Sequence, residues 1–106
     1  MQGYTVTIEA ACPPGFVTRS RVARIADELA QYEGSVRFAG DGRLDATLPV
    51  AEAHAVGHAF VLAVARFGEA AAFAGFGTLP LERVEVVRDA DAAEQEALAR
   101  AAAGSR

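Results

Sequence analysis

The spacing of the apolar residues changes several times along this chain, and the order of these changes limits the fold more than any other feature. From Tyr4 to Ala10 every second residue is apolar, which predicts a strand with one buried face. From Thr18 to Glu33 the apolar residues recur at helical spacing. This pattern predicts a helix with Thr18 as its N-terminal cap and Gly34 as its C-terminal cap.

The next three elements follow from the same kind of pattern. Alternating residues flank the turn Gly40-Asp41-Gly42 and predict a hairpin, because an Asp-Gly pair favours tight β-turns. After Pro49 a second helix is expected from about Ala51 to Phe67, or on to Ala74. Its core stripe is expected to contain Ala53, Val56, Phe60, Val64 and Phe67. Leu81 to Val87 alternates again and predicts the last strand.

A C-terminal helix is predicted to begin at Asp89 or Asp91, and the final Gly-Ser-Arg is expected to be frayed. Asp91 followed by Glu94 resembles a capping box. Leu98 is the only large apolar residue of this segment, so the helix should pack weakly.

The order of elements is strand, helix, strand, strand, helix, strand, which is the split βαββαβ pattern of the ferredoxin-like fold. We therefore predict an α+β domain over residues 1–88 and a C-terminal helix with its tail over residues 89–106. The four-stranded antiparallel sheet should have the order 4-1-3-2, with both main helices on one face.

Composition argues against several classes of function. The net charge is −4, whereas a nucleic-acid-binding domain usually carries a basic face, so we expect no nucleic-acid partner. The predicted solvent face of the sheet has no aromatic residue on which bases could stack. Its expected members are Thr5, Thr7, Glu9, Arg37, Arg43, Asp45, Thr47, Arg83 and Glu85. The sequence has no signal-peptide pattern and no long apolar run, which predicts a cytoplasmic protein without membrane contact.

His54 and His58 are the only histidines, and they stand one helical turn apart. Such a pair is half of a metal site, but zinc usually needs a third protein ligand. The nearest acids are Glu52, on the opposite side of the helix, and Glu69, three turns on. Surface histidines are therefore the favoured interpretation, and we expect neither a metal nor another cofactor.

Arg19, Arg21 and Arg24 crowd the first turns of the first helix, where positive charge opposes the helix dipole. A small anionic ligand or an acidic protein partner would explain them. The simpler interpretation is exposed arginines that pair with acids one turn away, as Arg24 would with Glu28.

The sequence offers no complete catalytic set of nucleophile, base and orienting group. Cys12 is expected to be buried or idle, because nothing brings it near a histidine. A non-enzymatic binding or regulatory module is the leading hypothesis. The alternative is a small dimeric αβ-barrel enzyme with an apolar cleft, and its candidate lining residues are Phe60, Phe67, Phe73 and Phe76.

The first third of the chain resembles ACT-type ligand-binding domains. In such domains a strand leads to a Pro-Gly pair followed by apolar residues, a helix, a glycine and a second strand. The matching positions are Pro14, Gly15, Phe16, Val17, Ile25, Leu29, Gly34 and Val36. The resemblance implies a regulatory module that binds an amino acid between paired domains near Gly15.

A sheet covered on one side leaves its other face and its edges open, and the modest net charge opposes self-association only weakly. We therefore expect a homodimer with two-fold symmetry, and the alternative is a monomer with a frayed C-terminal tail. The contact is expected on the sheet face or on the Asp91–Ala103 helix.

Overall fold

A computed structural model describes residues 2–13, 15, 17–40 and 42–104. Within these residues the chain is an α+β domain with four strands and three helices. They are β1 (Gln2–Ala11), α1 (Arg19–Ala30), β2 (Ser35–Gly40), β3 (Arg43–Ala53), α2 (Val56–Phe73), β4 (Leu81–Arg88) and α3 (Asp89–Gly104). Predictions that involve Pro14, Phe16, Asp41 and the last two residues, 105–106, lie outside the described residues.

The strands form one antiparallel sheet in the order β2-β3-β1-β4, which is the predicted order read from the other edge. Val6 of the central strand β1 pairs with Leu48 of β3 on one side and with Val86 of β4 on the other. Because side chains alternate across a strand, this register places the apolar residues of all three strands on the same face.

The core lies between that face of the sheet and the two helices α1 and α2. Ile25 and Leu29 of α1 and Phe67 of α2 join the buried strand residues in a single cluster. The buried strand residues include Val6, Ile8, Leu44, Ala46, Leu48 and Val50. Among the described residues no polar or charged side chain is buried, so apolar packing alone holds this core together.

Helix α2 differs from its prediction in both start and orientation. Strand β3 continues to Ala53, so α2 begins at Val56 rather than near Ala51. Its buried residues are Ala59, Ala63, Phe67, Ala70 and Ala71. Val56 and Phe60, predicted to lie in the core, are 56% and 42% exposed. The buried face is rotated by about 50° from the predicted stripe, because alanines rather than the larger side chains pack against the sheet.

By length and composition alone, α2 would also qualify as a membrane span: it has 18 residues with a mean hydropathy of 1.3. One side of the helix, its row of alanines and Phe67, packs in the core, and 28% of the span is buried.

Helix α1 begins as predicted, since the Thr18 side chain accepts a hydrogen bond from the backbone N–H of Arg21. It ends earlier than predicted, at Ala30. The closing turn places Glu33 in the left-handed region (φ 61°), and the Gly34 N–H donates to the carbonyl of Leu29. The predicted cap at Gly34 is thus displaced by one residue, and the left-handed position belongs to a glutamate.

Close packing, and not a left-handed backbone, explains why position 34 is a glycine. A Cβ at this position would lie 2.8 Å from Cδ2 of Leu48 and 3.2 Å from Cβ of Leu29. Both leucines are fully buried, so the close packing of the turn on the core excludes a side chain.

Helix α3 follows β4 directly and is exposed over almost its whole length. The Thr5 hydroxyl donates to Oδ1 of Asp89, which fixes the start of the helix to β1. Asp91 lies inside the first turn, and its carboxylate accepts hydrogen bonds from Nε and Nη2 of Arg88. The predicted capping box that begins at Asp91 is therefore wrong. Leu98 is 64% exposed, in agreement with the weak packing expected for this helix.

Candidate functional site

The two histidines stack on each other at the start of α2. Their ring centroids are 5.3 Å apart and the rings are nearly parallel, with an interplanar angle of 13°. The backbone N–H of His54 donates to Nδ1 of His58 over 3.2 Å. His58 is the third residue of α2, so its ring satisfies a backbone donor ahead of the helix much as a capping-box glutamate does. Ala55, the N-cap residue, makes no side-chain hydrogen bond to the first turn of the helix.

This geometry supports a structural role for the pair. Nδ1 of His58 already accepts a hydrogen bond and is not free to bind a metal. The described residues contain no group of three His, Cys, Asp or Glu side chains that could hold a metal ion.

The three arginines of α1 do not converge on one site. Arg21 lies over the ring of Phe76, 5.9 Å from its centroid, and thus points towards the end of α2. Successive helical residues turn by about 100°, so Arg19 projects on the side opposite Arg21. Within the described part of the chain neither Arg19 nor Arg24 forms an ion pair, so the predicted Arg24–Glu28 pair is wrong. The Glu28 carboxylate instead accepts a hydrogen bond from Nε2 of Gln31.

Gly15 and Cys12 also lie apart from the other candidates. Gly15 is exposed with φ 81°, and a Cβ there would meet nothing within 4 Å. Cys12 is buried beyond the end of β1, and burial raises the pKa of its thiol. His54 follows Ala53, which pairs with Gln2 at the opposite end of β1. About 30 Å of strand therefore separates the thiol from the histidines, which excludes a Cys-His catalytic pair.

The four phenylalanines considered for an enzyme cleft do not line a common cavity. Phe67 and Phe76 are buried, while Phe60 and Phe73 are exposed. Phe60 and Phe73 lie about 140° apart around α2, so they project to different sides of the helix.

An open depression lies beside His54, lined by Tyr4, Ala55, Val56, Val86, Arg88 and Asp91. The hydrogen bonds from Arg88 lower the pKa of Asp91, and the same bonds raise the pKa of Arg88. Since each group is engaged by the other, this ion pair serves to fix the junction between β4 and α3.

The open face of the sheet is polar and largely satisfied within the chain. Arg37 and Arg43 both pair with Asp45, at 3.6 and 3.1 Å, and Arg83 pairs with Glu85 at 2.7 Å. Surface pairs of this kind contribute little stability. They do, however, reduce the electrostatic reason for this face to bind a second copy.

An uncharged surface next to an unpaired strand is formed by one side of α2 and the adjacent strand β4. We call it the α2–β4 surface and define it by Phe60, Val61, Val64, Gly68 and Leu81. Phe60 and Val61 are 42% and 61% exposed. The opposite side of α2 faces α1, because the guanidinium of Arg66 lies 4.5 Å from the ring centroid of Tyr32.

Two further features belong to the α2–β4 surface. A cavity of about 250 Å³ opens at its C-terminal end, between α2, residues 77–79 and Leu81. Strand β4 has only β1 as a sheet neighbour among the described strands, so its outer edge is unpaired. The sequence contained a signal for this surface, namely the uncharged series Phe60, Val64, Gly68 and Ala72, but assigning Phe60 to the core hid it.

No family model, curated protein or solved structure matches this chain. Its function therefore has to be argued from its own residues.

Proposed function

We propose that this protein is a non-enzymatic binding module of ferredoxin-like fold that acts as a homodimer, joined through the α2–β4 surface. The observation that carries the proposal is the exposure of Phe60 and Val61 on a side of α2 that has no charged residue and borders an unpaired strand.

Helix α2 explains why this surface should be covered. Its outward side combines large apolar side chains with two glycines, Gly57 and Gly68. A Cβ at either glycine would meet nothing within 4 Å, so packing inside one chain does not require them. Glycine within a helix lowers stability by about 1 kcal/mol relative to alanine. A helix from a second copy that approaches closely would give these residues a role.

The other two contacts considered for a dimer have weaker support. The open sheet face carries ion pairs that are already formed within one chain. Helix α3 offers a single large apolar residue, Leu98. The α2–β4 surface, by contrast, is apolar and continuous with a strand edge.

No contact among the described residues identifies a ligand or a protein partner of the dimer. An ACT-type regulatory role with a bound amino acid stays a proposal that rests on the resemblance alone, and the cytoplasmic location stays a prediction. The buried thiol, which lies far from the histidines, and the phenylalanines, of which two are buried and two exposed, weigh against the αβ-barrel enzyme.

The proposal is tested by light scattering on wild type and on Val61→Glu. Val61 is exposed, so the variant should fold normally, as measured by circular dichroism. A charge at the centre of an apolar contact should convert the dimer to a monomer.

Leu98→Glu is the matched control, since it introduces the same charge at an equally exposed apolar residue of another helix. We expect Leu98→Glu to remain dimeric. A wild-type monomer would overturn the proposal, and loss of the dimer in Leu98→Glu alone would move the contact to α3.

A further inference from the structure

We infer that β4 pairs with β4 of a second copy in antiparallel orientation, with the two-fold axis at Val84, to make one continuous eight-stranded sheet. This inference rests on the proposed homodimer and specifies its contact.

The outer edge of β4 has the properties that such pairing needs. The pairing of β4 with β1 is regular from Arg83 to Arg88, where it contains no register shift. Arg83 and Glu85 lie on the open face of the sheet and are exposed, whereas Val84 and Val86 lie on the helix face and are half-buried. An unpaired edge of this length presents a row of backbone donors and acceptors to another strand.

Charge selects one register among the symmetric ones. When two copies pair about an axis perpendicular to the sheet, facing residues lie on the same face, so the residue at the axis defines the register. An axis at Arg83 would set the two copies of Arg83 against each other. An axis at Glu85 would do the same with two carboxylates. Like charges directly opposite each other destabilise a strand pair.

An axis at Val84 gives a complementary arrangement. Arg83 of each copy then faces Glu85 of the partner subunit, and Val84 faces Val84 on the helix side. Each Arg83 already pairs with Glu85 of its own chain at 2.7 Å. The dimer would therefore contain a cluster of two arginines and two glutamates on the open face. An axis at Val86 leaves Glu85 opposite Val87 and forms no such cluster.

The same rotation brings the α2 helices together. Both copies keep their helices on one side of the joined sheet, and the two-fold axis makes the two α2 helices antiparallel. Phe60 and Val61 of one copy therefore lie towards the Gly68 end of the second copy's α2. Residues 81–87 of the two strands overlap about this axis, so the contact is a strip about 24 Å long and about 20 Å deep, or roughly 500 Å² per copy. The total of about 1,000 Å² lies below the usual size of stable interfaces, so we expect a weak, reversible dimer.

The other edge of the sheet is less suited to self-pairing. Strand β2 has six residues, a register shift between Phe38 and Gly40, and Arg37 as its only charged residue. It has no acid that could face Arg37 of a second copy.

Charge exchange at β4 tests the register. Arg83→Glu places two glutamates opposite each other at both ends of the contact, and Glu85→Arg does the same with arginines. We expect each single variant to weaken the dimer about 10- to 30-fold in sedimentation experiments. The double variant R83E/E85R restores complementarity and should regain most of the wild-type affinity. Mixing the two single variants should give a heterodimer tighter than either homodimer.

Arg37→Glu is the control, because it makes the same change on the same face but at the far edge. We expect no effect on the dimer. The inferred register is overturned if the single variants leave a wild-type dimer unchanged while Val61→Glu dissociates it; the homodimer would then stand without this strand pairing. If wild type is a monomer and its β4 edge instead captures an extended peptide of another protein, both proposals fail.

Discussion

Substitutions at two neighbouring residues of the turn after α1 should change the stability of the fold in opposite directions. In Gly34→Ala the new Cβ would lie 2.8 Å from Cδ2 of Leu48, about 1 Å inside normal contact. Leu48 and Leu29 are fully buried, so relief requires repacking of the core. Overpacking of this kind costs about 2 kcal/mol, which corresponds to a loss of roughly 10 °C in Tm for a domain of this size.

Glu33→Gly should have the opposite effect. A side chain in the left-handed region costs about 1 kcal/mol, and glycine removes that cost while it increases the entropy of the unfolded chain. The net expectation is a gain of about 0.5 kcal/mol. Helix α2 supports this reasoning, because it ends in the same kind of turn with Gly75 (φ 89°) at the corresponding position.

Thermal and urea unfolding of the two variants measure these effects. Leu48→Val provides a rescue, since it deletes the atom that the new Cβ would touch, and the Gly34→Ala/Leu48→Val pair should lose less than the sum of its parts. A harmless Gly34→Ala would show that the turn does not pack closely on Leu48. A Glu33→Gly variant of lower stability would show that Glu33 does not lie in the left-handed region, and either result would contradict this explanation of the turn.

Three further effects are expected. Phe67→Ala should lower the free energy of unfolding by about 3–4 kcal/mol in urea titrations, because Phe67 is the largest fully buried side chain. His58→Ala should lower it by about 0.5–1 kcal/mol through loss of the acceptor for the His54 N–H; stabilisation of wild type by zinc that this variant abolishes would contradict the structural role. The pKa of Asp91 is lowered in the folded state, so its stabilisation is present above the ordinary pKa of an aspartate and is lost as pH falls through the lowered value. The hydrogen-exchange protection factors of the α3 amides should therefore fall in acid, and Asp91→Asn should remove that dependence.

Strand patterns were predictable from the sequence because their period of two is unambiguous. Tyr4, Val6 and Ile8 point to the core as expected, and the strand order agrees with the prediction. The boundary between β3 and α2 was not predictable, since Ala51-Glu52-Ala53 suits a helix as well as a strand end. Pairing of Ala53 with Gln2 in the sheet decides it.

The orientation of α2 was predicted wrongly for a related reason. Sequence patterns place large apolar residues inside, but Ala59 and Ala63 are the buried residues, and they let the helix lie close to the sheet. Phe60 and Val61 are then turned outward. The candidate site was missed in the sequence because Phe60, the largest side chain of that surface, had been assigned to the core.

Sedimentation equilibrium of the wild-type protein, from about 1 to about 200 µM, measures whether the α2–β4 surface joins two copies. The account predicts a mass that rises with concentration from the chain mass of 11.0 kDa towards twice that value. Val61→Glu should remain at the chain mass over the same range. A wild-type mass that stays at 11.0 kDa at every concentration would contradict the homodimer and the surface proposed to form it.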